Sequence, residues 1–313
     1  MVAVISPTES RNPRTIDIDR VSTLQLLQML NAEDQLVAGA VRAVLPDLVT
    51  LVEAAATSLA RGGRVHYFGA GTSGRIAVMD AAEVPPTFGL ARGTFLAHHA
   101  GGELALEQPI EEAEDDEQLG ARESEAVAPG DVVIGVTASG RTPYVAGALR
   151  ATRSRAEITA LVTANPTPPL GRLADVVLGV DVGPEAIAGS TRLKAATAQK
   201  LVLNCFSTAT MVRLGRTYSN LMVEVAPSNE KLRGRIVKIL IEASGESEQT
   251  CREMLAATNN NLKLALVCLL SPTTPFVAER ALDSVGGRVA AALSLLEVER
   301  DATPLAPGDR VDR

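Results

Sequence analysis

The run Val65–Phe68 is β-rich and ends in Gly69-Ala70-Gly71-Thr72-Ser73-Gly74-Arg75, and a helical run, Ile76–Ala82, follows at once. A strand, a glycine turn and a helix start in that order belong to a chain that crosses over between parallel strands. Four more β-rich runs follow, Thr94–Ala97, Val132–Thr137, Ile158–Thr163 and Val176–Val180, separated by helical or loop stretches. Strands alternating with helices predict an α/β fold: a parallel sheet covered by helices on both faces.

The glycines of the first turn permit positive φ and close backbone approach, while free N–H groups and the helix dipole attract an anion. The spacing is also GxGxxG, the dinucleotide fingerprint, which is weak evidence by itself. A dinucleotide site would add an acidic residue about 20 positions on, at the end of the second strand. That strand runs instead into His98-His99-Ala100. Two further strands also lead into hydroxyl-rich turns, Ala138-Ser139-Gly140-Arg141-Thr142-Pro143 and Gly189-Ser190-Thr191-Arg192-Leu193-Lys194. Each alone reads equally as a helix cap with a turn glycine. Together, at the carboxyl ends of strands in one sheet, they favour a phosphorylated small molecule.

Outside the sheet the pattern is helical. Ser22 is placed to cap a helix through Leu30, and apolar spacing from Leu36 to Val52 continues to a stop at Gly62-Gly63. After Asn220 the strand signal ends; residues 247–270 read as two short helices around Asn259-Asn260-Asn261, followed by a longer one near Pro275–Glu299. The tail beyond Asp301 is expected to fray. The organisation expected is an N-terminal helical segment at 1–62, a phosphosugar-binding domain at 63–225, a helical region at 226–300 and a flexible tail at 301–313.

The 313 residues, 46% apolar and 21% charged, suffice for one sizeable core. No apolar run reaches the roughly 18 to 20 residues that cross a bilayer, so no membrane association and a cytoplasmic location are expected. A net charge of -7 without a basic stripe argues against nucleic acid. Cys205, Cys251 and Cys268 have no paired spacing and are expected to be buried, inert thiols. No cluster has metal-ligand spacing. His66, in a strand, is expected to pack in the core; His98 and His99, at a strand end, read either as acid-base help for opening a sugar ring or, more often for such a place, as simply exposed.

Four stretches resemble the bacterial N-acetylmuramic acid 6-phosphate etherases of the sugar isomerase (SIS) superfamily: Thr8–Pro13, Gly69–Gly89, Ala138–Tyr144 and Ala198–Asn204. The likeness extends from about residue 8 to 300. It implies a five-stranded parallel SIS sheet and a homodimer whose site is shared between chains, using no cofactor and no metal. The activity it implies is cleavage of the C3 lactyl ether of N-acetylmuramic acid 6-phosphate, giving N-acetylglucosamine 6-phosphate and D-lactate in cell-wall sugar recycling. Carried over by position, Thr72, Ser73, Thr137, Ser139, Gly140, Thr142, Glu185, Ser190 and Thr191 hold substrate or phosphate. Ala188, Thr191 and Ala196 stand where the family has Thr, Ser and Gly. Residues Ser247–Leu270 resemble the family's ubiquitin-associated-like helices.

The resemblance places the acid and base at Glu83 and Glu114. Glu83 follows an apolar helical stretch and precedes Val84-Pro85-Pro86, near an expected helix C-terminus, where a negative charge is disfavoured. It also reads as a surface residue. Glu114 lies in an acidic run that would ordinarily be a solvated face. Glu185, matching the proton-abstracting glutamate of related isomerases, is the rival base. An aldose-ketose phosphosugar isomerase and a non-catalytic sugar-phosphate sensor would carry the same hydroxyl loops, so those loops do not choose among the three functions.

Overall fold

A computed structural model describes residues 7–108, 110–224 and 230–302. Its elements are α1 (Thr23–Arg42), α2 (Leu45–Ala60), β1 (Val65–Gly69), α3 (Gly71–Phe88), β2 (Phe95–His99), α4 (Leu104–Glu107), α5 (Glu117–Glu123), β3 (Val132–Thr137), α6 (Pro143–Thr152), β4 (Ile158–Thr163), β5 (Val176–Gly179) and α7 (Lys194–Arg213). There follow a two-stranded antiparallel pair, β6 (Thr217–Tyr218) and β7 (Leu221–Met222), and the helices α8 (Glu230–Ser244), α9 (Glu248–Ala257), α10 (Leu262–Leu270), α11 (Pro275–Ser284) and α12 (Val289–Ala302). Among the described helices no single one is long and apolar enough to cross a membrane.

The chain divides into two compact units, Met1–Pro85 with Leu90–Thr210, and Pro86–Gly89 with Met211–Arg313. The first is built on a five-stranded parallel sheet of order β2-β1-β3-β4-β5. Its strands are near-continuous apolar runs because helices cover both faces. On one face Phe68, Val133, Tyr144, Val145, Leu149 and Leu161 form a buried cluster. On the other Tyr67 packs near Phe95 and Phe206. Helices α5 and α6 touch backbone to backbone: a Cβ on Gly120 would lie 1.9 Å from the Tyr144 carbonyl, and one on Gly147 equally near the Glu117 carbonyl. Only glycine permits that approach.

In the second unit, Val223, Ile236, Leu240, Leu255, Leu266, Leu282 and Leu296 form the core, and Cys251 and Cys268 are buried there. Cys205 departs from expectation: it is exposed on α7, because the apolar stretch around it places Leu203 and Phe206 inward and turns its own position to solvent.

Several boundaries also differ from the sequence reading. Ser22 caps α1 through a capping box with Gln25, but the helix runs on to Arg42. The break falls at Ala43-Val44, where Pro46 in the first turn of α2 has no N–H to continue the ladder. Helix α3 passes through Pro85 and Pro86 to Phe88, so Glu83 lies more than a turn inside the helix and not at its end. The expected helix from Pro275 to Glu299 is two, divided at Gly286 and Gly287, whose φ of 65° and 73° no helix accommodates. Strand pairing also persists just past Asn220, in β7. The tail expected to fray lies almost wholly at 303–313, outside the described residues.

One buried ion cluster ties the N-terminal segment to the sheet unit. Glu33 of α1, 2% exposed, takes the fully buried Lys194 Nζ at 2.6 Å and a forked pair of bonds from Arg14. The Arg14 bonds, aided by Lys194 and opposed by burial, hold the Glu33 carboxyl at about 2. Its pKa is depressed on folding, so its contribution is complete above the ordinary carboxylate range and is lost as pH falls from about 4.5 toward 2. Glu33→Gln leaves the Lys194 charge buried without its counter-ion and should lower unfolding stability by about 3 kcal/mol at pH 7, measured by urea titration. A loss below about 0.5 kcal/mol would show that the pair carries no structural weight.

Candidate functional site

The sheet order reverses between β1 and β3, and there the carboxyl ends of adjacent strands open a crevice that no crossover helix covers. Strand pairing sets Gly69 beside Val136 and beside His99, so the turns after β1, β2 and β3 are neighbours. The first turn folds back sharply: a Cβ on Gly69 would come within 2.9 Å of Gly74, and one on Gly74 within 2.5 Å of His99. It delivers the N-terminus of α3 with Ser73 buried and Thr72 half-buried. The leading N–H groups of that helix have no intrahelical acceptors and suit an anion.

In the second turn, Thr137 and Thr142 share a hydroxyl bond of 2.8 Å. The carbonyls of Ala138, Ser139 and Gly140 are drawn back by Thr163, Asn165 and Leu170 respectively. Groups that would repel an anion are thereby occupied, and Gly140, at φ 70°, allows the reversal. Pro143 opens α6 directly afterwards.

The third turn is assembled by the N-terminal segment, which the sequence marks only as a helical segment carrying the Thr8–Pro13 stretch. Thr8 accepts from the Gly189 N–H at 3.0 Å, Asn12 donates to the Pro184 carbonyl at 3.1 Å and Thr15 to the Ala186 carbonyl at 2.7 Å. Glu185 is fully buried, and its two carboxylate oxygens accept the Lys194 and Ala195 N–H groups at 2.9 Å each, capping α7. Burial raises its pKa against the pull of those bonds. Ser190 and Thr191 are half-buried on the same turn.

A cleft of about 510 Å³ opens beside the first turn, lined by Ala70, Gly71, Arg75, His99, Ala100, Ala105, Ile110, Glu112, Glu114 and Asp115. Among the residues singled out from sequence, Glu114 lines it. Glu83 does not. It is exposed on α3, twelve residues past Gly71, which is about 18 Å along the helix axis. The sequence missed Arg75 and His99 as cleft residues, although Arg75 closes the glycine motif.

His98 and His99 are not simply exposed. His99 is buried, with Nδ1 2.9 Å from the Ala100 carbonyl and Nε2 3.1 Å from the Gly71 carbonyl. It is fixed there because its ring fills the space left by Gly74. His98 stacks on Phe68 and His66, and its Nε2 lies 3.0 Å from His66 Nδ1. His66 is fully buried, as expected of a strand residue, and its Nε2 meets Asp131 at 3.1 Å. Burial, then the neighbouring His66, pushes His98 down to about 4, and burial also lowers His66 against the attraction of Asp131.

Comparison with known proteins follows the same lines. Residues 47–153 match the family model described as the glucokinase regulatory protein N-terminal SIS domain, and residues 104–209 the SIS domain. The N-acetylmuramic acid 6-phosphate etherase of Thermobifida fusca is 56% identical over 86% of this chain and 88% of its own. N-acetylmuramic acid 6-phosphate etherase 1 of Bacillus licheniformis is 45% identical over 93% of this chain and 96% of its own. Among solved structures, a phosphoheptose isomerase from Francisella tularensis is 17% identical, with a TM-score of 0.49 over 61% of this chain and all of that one.

The stacked histidines make stability depend on pH. Both pKa values are depressed by folding, so the unfolded chain binds the extra protons, and stability present above about 6.5 is lost as pH falls toward 4. Between pH 7 and pH 5, His98→Gln should lose on the order of 1 to 2 kcal/mol less stability than the unsubstituted protein in denaturant titrations. Parallel losses in the two proteins would refute this linkage.

Proposed function

The chain belongs to the N-acetylmuramic acid 6-phosphate etherase family, and from that premise we propose that Glu114 is the base and Glu83 the acid of an elimination shared between two copies. The activity is cleavage of the lactyl ether of N-acetylmuramic acid 6-phosphate, to N-acetylglucosamine 6-phosphate and D-lactate, in amino-sugar recycling. The observation that carries the mechanistic reading is the position of Glu114 in the lining of the same cleft as Ala70 and Gly71 of the glycine turn.

Direct displacement at an ether carbon is slow because an alkoxide leaves poorly. Opening the sugar ring exposes an aldehyde at C1 and acidifies the C2 proton. Glu114 removes that proton, Glu83 protonates the departing lactate oxygen, and water then adds to C3 of the unsaturated aldehyde. The phosphate rests on the first two turns, through Thr72, Ser73, Ser139, Gly140 and Thr142, with Thr137 orienting Thr142. Ser190 and Thr191 complete the site from the third turn. Glu185 holds that turn to α7; it is fully buried with both oxygens on backbone N–H groups and does not line the cleft, which favours Glu114 as base.

A single chain does not carry Glu83 to the cleft that Glu114 lines, since about 18 Å of helix separates Glu83 from Gly71. A second copy of the chain supplies it. The 20-residue α1 supports such pairing: only Glu33, Val37 and Val41 are buried along it, while Leu24 and Leu27 are 66% and 56% exposed. A cytoplasmic location accords with the free cysteines and with a phosphorylated substrate.

Two measurements test this reading. Glu83→Ala should exchange the C2 hydrogen with heavy water while lactate release falls by at least about a hundredfold, and Glu114→Ala should do neither. Normal lactate release by Glu83→Ala would end the assignment. Mixing the two inactive variants, after dissociation and reassociation, should restore about a quarter of the activity, because half the dimers are mixed and each has one intact site. No recovery would place both carboxylates of a site on one chain.

A further inference from the structure

Arg75 lines the cleft, yet its guanidinium is turned toward the backbone. Nε donates to the Leu106 carbonyl at 2.7 Å and Nη2 to the Ala105 carbonyl at 2.6 Å. Both carbonyls belong to α4, a four-residue helix too short to satisfy its own carbonyls. A planar fork with donors on two edges matches two adjacent carbonyls in a way that a single ammonium does not. Beside it, the Ala100 N–H donates to the Gly69 carbonyl at 3.0 Å, and His99 spans the carbonyls of Gly71 and Ala100.

These bonds join the first glycine turn to the start of the segment that forms the far wall of the cleft. From α4 the chain passes Ile110 into a short 3-10 turn, Glu111–Asp115, which carries Glu114. That turn has no side-chain cap at its start. Its two fixed ends are α4, held by Arg75, and α5, whose first turn is capped by Asp116 on the Leu119 N–H.

We propose that Arg75 is a positioning residue that fixes residues 104–115, and Glu114 with them, to the loop at the start of α3. The consequence for catalysis rests on Glu114 being the base; the mechanical role does not. Because Arg75 lies in the first turn and a half of α3, the helix start that receives the anion and the wall that bears the carboxylate move as one body.

The test uses the full chain with Arg75→Met, which keeps an apolar stem, and Arg75→Lys, which keeps the charge and loses the fork. Amide deuterium uptake in peptides covering 104–115 should quicken by on the order of tenfold in Arg75→Met, with uptake in β1 and β3 unchanged. Lactate release should fall by roughly ten- to a hundredfold in kcat, with KM altered less than about threefold, and C2 exchange should fall by the same factor as lactate release. Arg75→Lys should lie between, and it carries the test should Arg75→Met fail to fold. Unchanged uptake at 104–115 overturns the proposal. So does a tenfold rise in KM with kcat unchanged, which would make Arg75 a substrate ligand. Glu114→Gln is the control for the underlying reading: C2 exchange retained in that variant removes Glu114 as base, while quickened uptake in Arg75→Met would still support the mechanical role.

Discussion

Parallel strands need a crossover between each pair, and a sheet that grows first to one side and then to the other must leave one seam uncovered. Here the seam lies between β1 and β3. The register of that pair sets Gly69 level with Val136, so the glycine turn and the hydroxyl turn leave the sheet side by side. Two helix starts, those of α3 and α6, then face the same crevice, and the proposed phosphate site draws on backbone groups in a chain of net negative charge. The third turn is not placed by strand register. It needs Thr8, Asn12 and Thr15 from the far end of the chain, with Glu33 and Lys194 locked behind it.

Each face of the sheet buries a polar group beside its apolar packing. On one, Asp131 receives the Arg64 and Ala128 N–H groups and lies beside His66. On the other, Asp80 of α3 accepts from Tyr67 at 2.8 Å and from Ser207 of α7 at 3.0 Å. Burial raises Asp80 while those two bonds oppose the rise. Such groups add little net stability over apolar packing, but they are costly to leave unpaired, so Asp131 ties β1 to the turn entering β3 and Asp80 fixes one register of α3 on the sheet. For α3 that register matters, because the helix carries the proposed phosphate turn at one end and the proposed acid toward the other.

The sheet was legible because each strand is a short run rich in apolar or aromatic residues between turn signals, and all five were placed to within a residue or two. Helix breaks were less so: apolar spacing continues across Ala43-Val44 and across Gly286-Gly287, where Pro46 in the first case and the positive φ of both glycines in the second end the helices. His98, which the sequence left open between acid-base help and exposure, is half-buried because its ring stacks on Phe68 and His66. Arg75 could have been suspected from its place at the end of the glycine motif. Its partners could not, since they are main-chain carbonyls of a helix with no periodic signal of its own.

The two proposed catalytic carboxylates stand on unlike supports. Glu83 belongs to the interior of an 18-residue helix fixed by Asp80 one turn earlier, so its direction follows from the helix itself. Glu114 belongs to a 3-10 turn between two short helices, placed both by what holds those helices and by Ala113, which packs against the buried cluster of Phe68 and Tyr144. An acid on rigid support suits a role that a neighbouring chain must present at a fixed distance, since error at a subunit interface adds to error within the chain. A base on a tethered turn can instead approach a substrate already held by its phosphate. Elimination requires the C2 proton and the C3 oxygen to be met from positions set independently, and a long helix for one group with a short tethered wall for the other provides that independence.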